Sequence, residues 1–285
     1  MSIFVTGATG TIGKDVVRGL QAKGAAVKAL SRSPRDTEGR LQWVQGDLDS
    51  PQSLDLAGVE TLFLLTGVVK NQVDQARQLL DRARQAGVKR VVKLSVIGAD
   101  LRPGIQLTRW HGEVEELLRQ SGLGWTFLRP NTFLQNFITF NAATIREHSA
   151  FYTAQGEGRV SYVDTRDIAA VAVEALLDAK HDGHAYTLTG PQALTAAAAA
   201  EVLSDALKRP IQAVHVSDDA YRQGMLKSGM PDWMVELMME LNATNRVGTF
   251  SAVSTDIATV LGREPISAAQ FARDFSAELR PLTKA

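Results

Sequence analysis

Apolar and polar positions alternate with two different periods along the first half of the chain. Short β-rich runs fall at residues 3–6, 26–31, 41–45, 61–66, 90–95 and 125–129. Between most of them lie segments with the 3.6-residue spacing of amphipathic helices, at 12–23, 70–86 and 107–120. Gly24, Gly87 and Gly122 each follow such a segment, where a glycine accommodates the left-handed residue that closes a helix. The strand candidates are near-continuous apolar runs, as in Leu62-Phe63-Leu64-Leu65, which fits strands covered on both faces. Alternation of this kind predicts an α/β fold with a doubly wound parallel sheet and helices on both sides.

After Pro130 the rhythm changes. A helix-like stretch at 133–148 leads into mixed segments near 151–155 and 160–163, then a helix at 166–178 and a strand at 185–189. The remainder reads mainly helical, at 195–207, 217–227, 232–241, 255–261 and 268–279. The alanine run 196–200 is low in complexity, but alanine is the strongest helix former, so it reads as helix. No repeat or linker-like stretch divides the chain. The expected organisation is a first domain over 1–130 and a smaller, mostly helical α/β lobe over 131–285 that is interwoven with it.

Composition narrows the function classes. Lysine plus arginine and aspartate plus glutamate both number 31, for a net charge of zero, and a duplex-binding protein normally carries a basic excess. No nucleic-acid partner is therefore expected. With no cysteine in the chain, disulfides, thiolate metal sites and cysteine nucleophiles are excluded. The opening residues lack a basic region ahead of a long apolar run, so a secretory leader is not expected. Nor does any stretch approach the roughly 20 apolar residues needed to cross a bilayer. These readings together predict a cytoplasmic location without membrane contact.

The most specific local signal is Val5-Thr6-Gly7-Ala8-Thr9-Gly10-Thr11-Ile12-Gly13, which ends a predicted strand and opens a predicted helix. In that setting Gly7 permits a tight turn, Gly10 lets backbone approach a pyrophosphate, and Gly13 allows close packing of helix on strand. Amides and the dipole at the helix start favour the anion. Gly7, Thr9, Gly10, Thr11, Ile12 and Gly13 thus become candidate dinucleotide contacts, and the first domain reads as Rossmann-type. About 20 residues on, where an NAD site would place an acidic residue on the ribose, the chain has Ser31 followed by Arg32. An arginine grips a 2′-phosphate with paired donors, and an acid would repel it. The predicted cofactor is NADP(H), preferred over NAD(H). A solvated Arg32, with Arg35 or Arg40 serving instead, is the competing reading.

With Gly-x-x-Gly-x-x-Gly spacing inside Thr6-Gly7-Ala8-Thr9-Gly10, the loop resembles that of the short-chain dehydrogenase/reductase superfamily, in its extended and atypical branches. The resemblance implies that Asp47-Leu48 contact adenine and that Thr66-Gly67 lie beside the nicotinamide ribose; a helix cap near Pro51 is the other reading of Asp47. Members of the superfamily typically use a Tyr-x-x-x-Lys pair. Here the corresponding helix reads Leu107-Thr108-Arg109-Trp110-His111, so Leu107 stands for the tyrosine and His111 for the lysine.

The same region carries His111-x-x-x-Glu115-x-x-Leu118, then Trp125-Thr126-Phe127-Leu128-Arg129-Pro130 and Phe133-Leu134-Gln135-Asn136, and later Tyr162-Val163-Asp164-Thr165-Arg166-Asp167. With the glycine loop, these motifs resemble the NmrA-like family of atypical short-chain reductases over roughly residues 1–190. That family includes NADPH-dependent quinone and dye reductases, isoflavone-type reductases and redox-sensing regulators without turnover. Ser95, ending the fifth strand, and Pro130 are candidates near the cofactor, with an ordinary strand-end serine as the other reading of Ser95, and Asn131, Phe133, Asn136 and Phe137, just after the sixth strand, are candidates to wall a flat apolar cavity. For Phe133 and Phe137 ordinary packing is an equal reading.

His111 is the candidate catalytic residue, as a hydrogen-bond donor to the cofactor ribose or as a proton relay. The alternative is a helix residue packed on Trp110 or bonded to Glu115 one turn on. His181-Asp182-Gly183-His184 lacks further ligands, and no metal is expected there. Asp164-Thr165-Arg166-Asp167 reads as a helix start.

Two functions follow from the missing phenol. One is a reductase that passes hydride from NADPH to a small aromatic or quinone acceptor, whose ring disperses the incoming charge. The other is a non-catalytic NADP(H)-binding sensor that signals through a protein partner, with Asp232-Trp233-Met234-Val235 and Met238-Met239 as a candidate contact patch or as core. A homodimer is compatible with either. An epimerase or dehydratase of nucleotide sugars would normally retain the Tyr–Lys pair.

Overall fold

A computed structural model describes residues 2–281 of the chain. The elements run β1 (Ser2–Val5), α1 (Thr11–Ala22), β2 (Ala26–Ser31), β3 (Leu41–Gln45), β4 (Thr61–Leu64), α2 (Gln72–Gln85), β5 (Arg90–Leu94), α3 (Gln106–Gln120) and β6 (Gly124–Pro130). They continue with α4 (Asn136–Thr139), α5 (Ala142–His148), β7 (Ala150–Thr153), α6 (Thr165–Leu177), β8 (His184–Leu188), α7 (Ala196–Leu207) and β9 (Gln212–His215). The last are α8 (Asp218–Lys227), α9 (Asp232–Arg246), α10 (Asp256–Leu261), α11 (Ala268–Asp274) and α12 (Ser276–Leu279).

Two compact units result. The first takes the residues up to Pro130 together with Thr165–Leu188 and Asp256–Arg263. Its seven strands pair in parallel in the order β3-β2-β1-β4-β5-β6-β8. The chain winds outward from β1 to β3 and then crosses back to β4, which puts the reversal of direction between β1 and β4. In open α/β sheets the crevice at such a reversal, beyond the carboxyl ends of the strands, is where ligands bind. Phe4, Leu62, Leu64, Val91 and Phe127 of the sheet bury against Leu79 of α2 and Val114 and Leu118 of α3. Each such side chain contributes about 1.5–3 kcal/mol on burial. Gly24, Gly87 and Gly122 adopt φ of +72°, +81° and +78°, the left-handed closures their positions predicted.

Residues 165–188 and 256–263, which the sequence reading gave to the second lobe, cluster with the first unit. The reason is pairing: β8 extends the sheet along β6, α6 packs on α1, and Asp256 of α10 accepts the Thr187 amide of β8 at 2.6 Å.

The second unit takes Asn131–Asp164, Thr189–Thr255 and the residues from Glu264 on. Here β7 and β9 form a parallel pair, and Phe137, Ile145, Phe151, Leu203, Phe271 and Leu279 share a core. The helix expected over 133–148 is interrupted. Phe133 forms a β-bridge with Val163, and Asn141 Nδ2 bonds back to the Asn136 carbonyl at 3.3 Å, which ends α4 before α5 begins. The helix expected over 268–279 likewise divides into α11 and α12, and β9 lies where no strand was expected.

Candidate functional site

The glycine turn joins β1 to α1 at the sheet's reversal point. Gly7 has φ +62°, and its carbonyl accepts the Gly10 amide at 3.0 Å. Gly13 is required by a close approach: a Cβ there would lie 2.1 Å from the Gly7 carbonyl oxygen. The contact is thus of helix on the turn itself rather than on the strand. At Gly10 a Cβ would meet only the Gly7 oxygen, at 3.3 Å, so that face of the turn is open. Helix α1 begins with no side-chain cap and no acidic residue in its first turn. Its leading amides therefore remain available to an external anion. Thr9, Gly10 and Thr11 are exposed, whereas Ile12 is buried in the packing of α1. A dinucleotide pyrophosphate fits this cradle, since the backbone is bare where the anion would sit.

Around the turn, the other predicted contacts separate. Ser31 is buried at the end of β2, and Arg32 is exposed beside it. Of the three nearby cations, Arg40 bonds the Gly24 carbonyl at 2.8 Å and the Arg35 guanidinium lies 4.9 Å from the Trp43 ring centroid. The Arg32 guanidinium has no partner among the described residues; only its carbonyl is engaged, by Gln45. Asp47 does not cap the 3₁₀ turn at Pro51–Ser53. Ser50 holds that place, and Asp47 Oδ1 instead accepts the Asp49 amide at 3.0 Å. Leu48 packs against the core of the unit.

Thr66 and Gly67 follow β4, with Gly67 exposed and Thr66 Oγ1 3.5 Å from Gln72 Oε1. Gln72 itself is 1% exposed, and its Nε2 is a buried donor with no partner among the described residues. Sequence reasoning passed over it. A buried amide left unpaired next to Thr66 is a group for which some hydrogen-bond acceptor remains to be supplied.

At the carboxyl end of β5 the structure assembles a polar cluster inside an apolar sheet. Lys93, 2% exposed, places Nζ 2.9 Å from His111 Nδ1 on α3. Burial pulls the Lys93 pKa down to about 7; the charge of Glu115 opposes that shift and that of Arg129 adds to it. His111 is held well below its ordinary pKa, first by burial and then by the neighbouring ammonium. The imidazole is therefore neutral at physiological pH. Glu115, the alternative partner that helical spacing offered His111, is taken up elsewhere. Its Oε1 accepts Ser95 Oγ at 2.6 Å and Arg129 Nε at 3.0 Å, and its Oε2 accepts Arg129 Nη2 at 2.7 Å and Arg119 Nη2 at 3.1 Å. The forked guanidinium outcompetes the imidazole for a carboxylate only 1% exposed. Asp100 closes the cluster on Arg129 Nη1 at 2.6 Å.

Ser95, expected to line the cofactor pocket, is buried and turned onto Glu115. The Pro130 carbonyl accepts the Ile97 amide at 2.9 Å. Gly112 seats α3 in this cluster, since a Cβ there would lie 2.3 Å from the Ala99 carbonyl oxygen. Leu107, in the place of the superfamily tyrosine, is buried and brings no hydroxyl. Lys93 was missed because one lysine in a strand carries no pattern. Its only signal is a charge inside Val91-Val92-Lys93-Leu94.

In the second unit, the four predicted pocket residues differ in their surroundings. Asn131 is fully engaged: Nδ2 donates to Ser161 Oγ at 2.7 Å and to the Phe250 carbonyl at 2.8 Å, and Oδ1 accepts the Thr132 amide at 2.8 Å. Phe137 is core, edge-on to Phe151 at 5.2 Å. Phe133 and Asn136 are half-buried. Trp233, Met234, Met238 and Met239 are half-buried along α9. His181 Nδ1 pairs with the Tyr186 hydroxyl at 2.8 Å, and His184 Nδ1 lies 3.1 Å from the Asp182 carbonyl. Asp164-Thr165-Arg166-Asp167 does open helix α6. Among the described residues no helix is long and apolar enough to cross a membrane.

Comparison with known proteins agrees with this geometry. The model of a family described as NAD(P)H-binding matches residues 7–179. An NAD(P)H azoreductase of Xenophilus azovorans is 40% identical over 281 residues, covering 96% of this chain and 98% of its own. The structure of an NADPH-dependent quinone oxidoreductase from Escherichia coli, solved with NADPH, superposes with a TM-score of 0.85 at 25% identity, over 96% of this chain and 99% of that one. A triphenylmethane reductase from a Citrobacter species superposes with a TM-score of 0.83 at 25% identity, over 96% of this chain and all (100%) of that one.

Proposed function

The chain belongs to the NAD(P)H-binding family, among the NmrA-like atypical short-chain reductases, and from that premise we propose that it is an NADPH-dependent reductase of flat conjugated acceptors such as quinones and dyes. The observation that carries the reading is the polar cluster at the end of β5, where Lys93 meets His111 and Leu107 stands in place of a phenol. A ketone reductase needs a positioned acid of tyrosine type for the alkoxide it creates. Quinones and azo or triarylmethane dyes spread the incoming charge over a π-system and ask less of the protein.

When bound, NADPH supplies the hydride. The chain's part is to hold, orient and shield. The Gly7–Gly13 turn and the leading amides of α1 take the pyrophosphate. Arg32 takes the 2′-phosphate, in keeping with the absence of an acid at Ser31 and with a guanidinium that has no partner among the described residues. Thr66, Gly67 and Gln72 flank the nicotinamide ribose, and the Gln72 amide finds there the acceptor it lacks within the protein. NADPH is the preferred cofactor, and the acceptors are the classes on which the named relatives act.

Titration with NADPH and NADH, followed by absorbance at fixed NADPH with a panel of quinones, azo dyes and triarylmethane dyes, tests the proposal. Acceptor-dependent NADPH oxidation above the rate without protein is expected. Tight NADPH binding with no oxidation across the whole panel would replace the reductase by a cofactor-binding regulator.

A further inference from the structure

Lys93 stands in a definite place relative to the glycine turn. Register pairs Val5 with Phe63 and Phe63 with Val92, so Lys93, paired with Leu64 and Phe127, lies one residue nearer the carboxyl edge. That is the row of Thr6, immediately before Gly7. Two strand spacings separate β5 from β1, about 10 Å in all. The lysine and its histidine therefore sit beside the cofactor edge, within the span of a bound dinucleotide.

Polarity fixes what the pair can do. An ammonium has donors only, so while Lys93 is charged it must donate to His111 Nδ1. The imidazole then carries its single proton on Nε2. That nitrogen has no partner among the described residues, and His111 is half-buried rather than sealed in the core. The charged groups around the pair are Glu115, Arg129, Arg119 and Asp100, all engaged with one another and none bonded to either member.

We propose, resting on the reductase reading above, that Lys93 and His111 form a proton relay that replaces the missing tyrosine–lysine pair. A neutral two-electron acceptor that takes a hydride becomes an anion and needs one proton. His111 gives its Nε2 proton to that anion while Nδ1 takes one from the Lys93 ammonium. The Nε2–H bond breaks as an O–H or N–H bond forms on the acceptor, and one Lys93 N–H bond breaks as Nδ1–H forms. Lys93 ends as a neutral amine and His111 as the other neutral tautomer. Solvent returns the proton through Nε2, so no imidazolate forms. Burial sets the acidity for the task, because an ammonium with a pKa near 7 releases its proton far more readily than an exposed one. Lys93 acts through His111 and is a positioning residue; His111 is the group that meets the acceptor.

Acceptors with different proton demands test the relay. A quinone or azo dye consumes a proton with the hydride, whereas a cationic triarylmethane dye becomes its neutral leuco form by hydride alone. In K93M and K93Q, and separately in H111N, the ratio of quinone to cationic-dye kcat should fall at least tenfold, with NADPH affinity checked by titration. The wild-type quinone kcat should decline above about pH 7, a decline the Lys93 variants lack. Independently of turnover, nitrogen NMR of cofactor-free protein at pH 6 should show His111 neutral and protonated at Nε2, a tautomer that K93M no longer enforces. Parallel loss for both acceptors, or a ratio unchanged in all three variants, would overturn the relay and leave the reductase intact. So would His111 protonated at Nδ1 in the wild type at pH 6. No wild-type turnover with either acceptor class overturns the reductase reading and the relay with it.

Discussion

Glu115 and Arg129 meet through two parallel hydrogen bonds, Nε to Oε1 at 3.0 Å and Nη2 to Oε2 at 2.7 Å, with the carboxylate almost wholly buried. Desolvating such a pair costs nearly what its attraction returns, but removing one partner strands the other charge. Arg129→Met should therefore destabilise the protein by about 3–5 kcal/mol in urea unfolding. The double variant Glu115→Leu/Arg129→Met should recover most of the loss, and additive losses would contradict the pairing account.

The glycine turn tolerates no side chain at its closest point. Gly13→Ala would drive a methyl group into the Gly7 carbonyl, from which it would lie 2.1 Å away. Displacement of α1 from the turn should lower NADPH affinity by at least about tenfold, roughly 1.4 kcal/mol, in a fluorescence titration. Affinity equal to that of the wild type would mean that the phosphate does not sit on this turn.

Cofactor choice should hinge on Arg32. Arg32→Ala is expected to weaken NADPH by about tenfold or more and to leave NADH nearly unchanged. Ser31→Asp should invert the preference, since a carboxylate repels the 2′-phosphate and accepts from ribose hydroxyls. The ratio of the two dissociation constants is the readout, and equal losses for both nucleotides would assign Arg32 no part in the choice.

Stability should carry the signature of the buried ammonium. The folded-state pKa of Lys93, about 7, lies below the 10.5 of a free lysine. Between those values the unfolded chain holds more protons at this site than the folded one, so wild-type stability rises with pH through that window. Below about pH 7 the whole cost of burying the charge is present. Lys93→Met should thus be more stable than the wild type in acid, its advantage shrinking by up to about 1.4 kcal/mol per pH unit above 7. Chemical denaturation across pH 6–10 measures this, and a constant difference would show that Lys93 does not lose its proton in the folded state.

Most strands of the parallel sheet were legible because they are short, largely apolar or β-prone runs between breakers, and the glycine turn because its spacing encodes a backbone shape. Strand β9 was not, since Gln212-Ala213-Val214-His215 holds two small apolar residues between exposed polar ends and owes its conformation to β7. The break between α4 and α5 depends on Phe133 reaching Val163, thirty residues on, which helical periodicity does not register. The same limit hid the chemistry. Spacing along α3 suggested His111 with Glu115, one turn apart, whereas the contact that forms is with Lys93, 18 residues earlier and on another element. Burial decides the matter: Arg129 claims the carboxylate, and the lysine inside the sheet has the imidazole within reach.

The first unit draws on three separated stretches of chain, the last ending at Arg263. A ribosome that has delivered Pro130 has made six of the seven strands, yet β6 still presents a bare edge and α1 lacks the α6 helix that covers it. The edge is closed only when β8 emerges, and β8 is clasped only when Asp256 follows. The nascent sheet must therefore wait, its edge open to other strands, until the chain has been translated past Asp256.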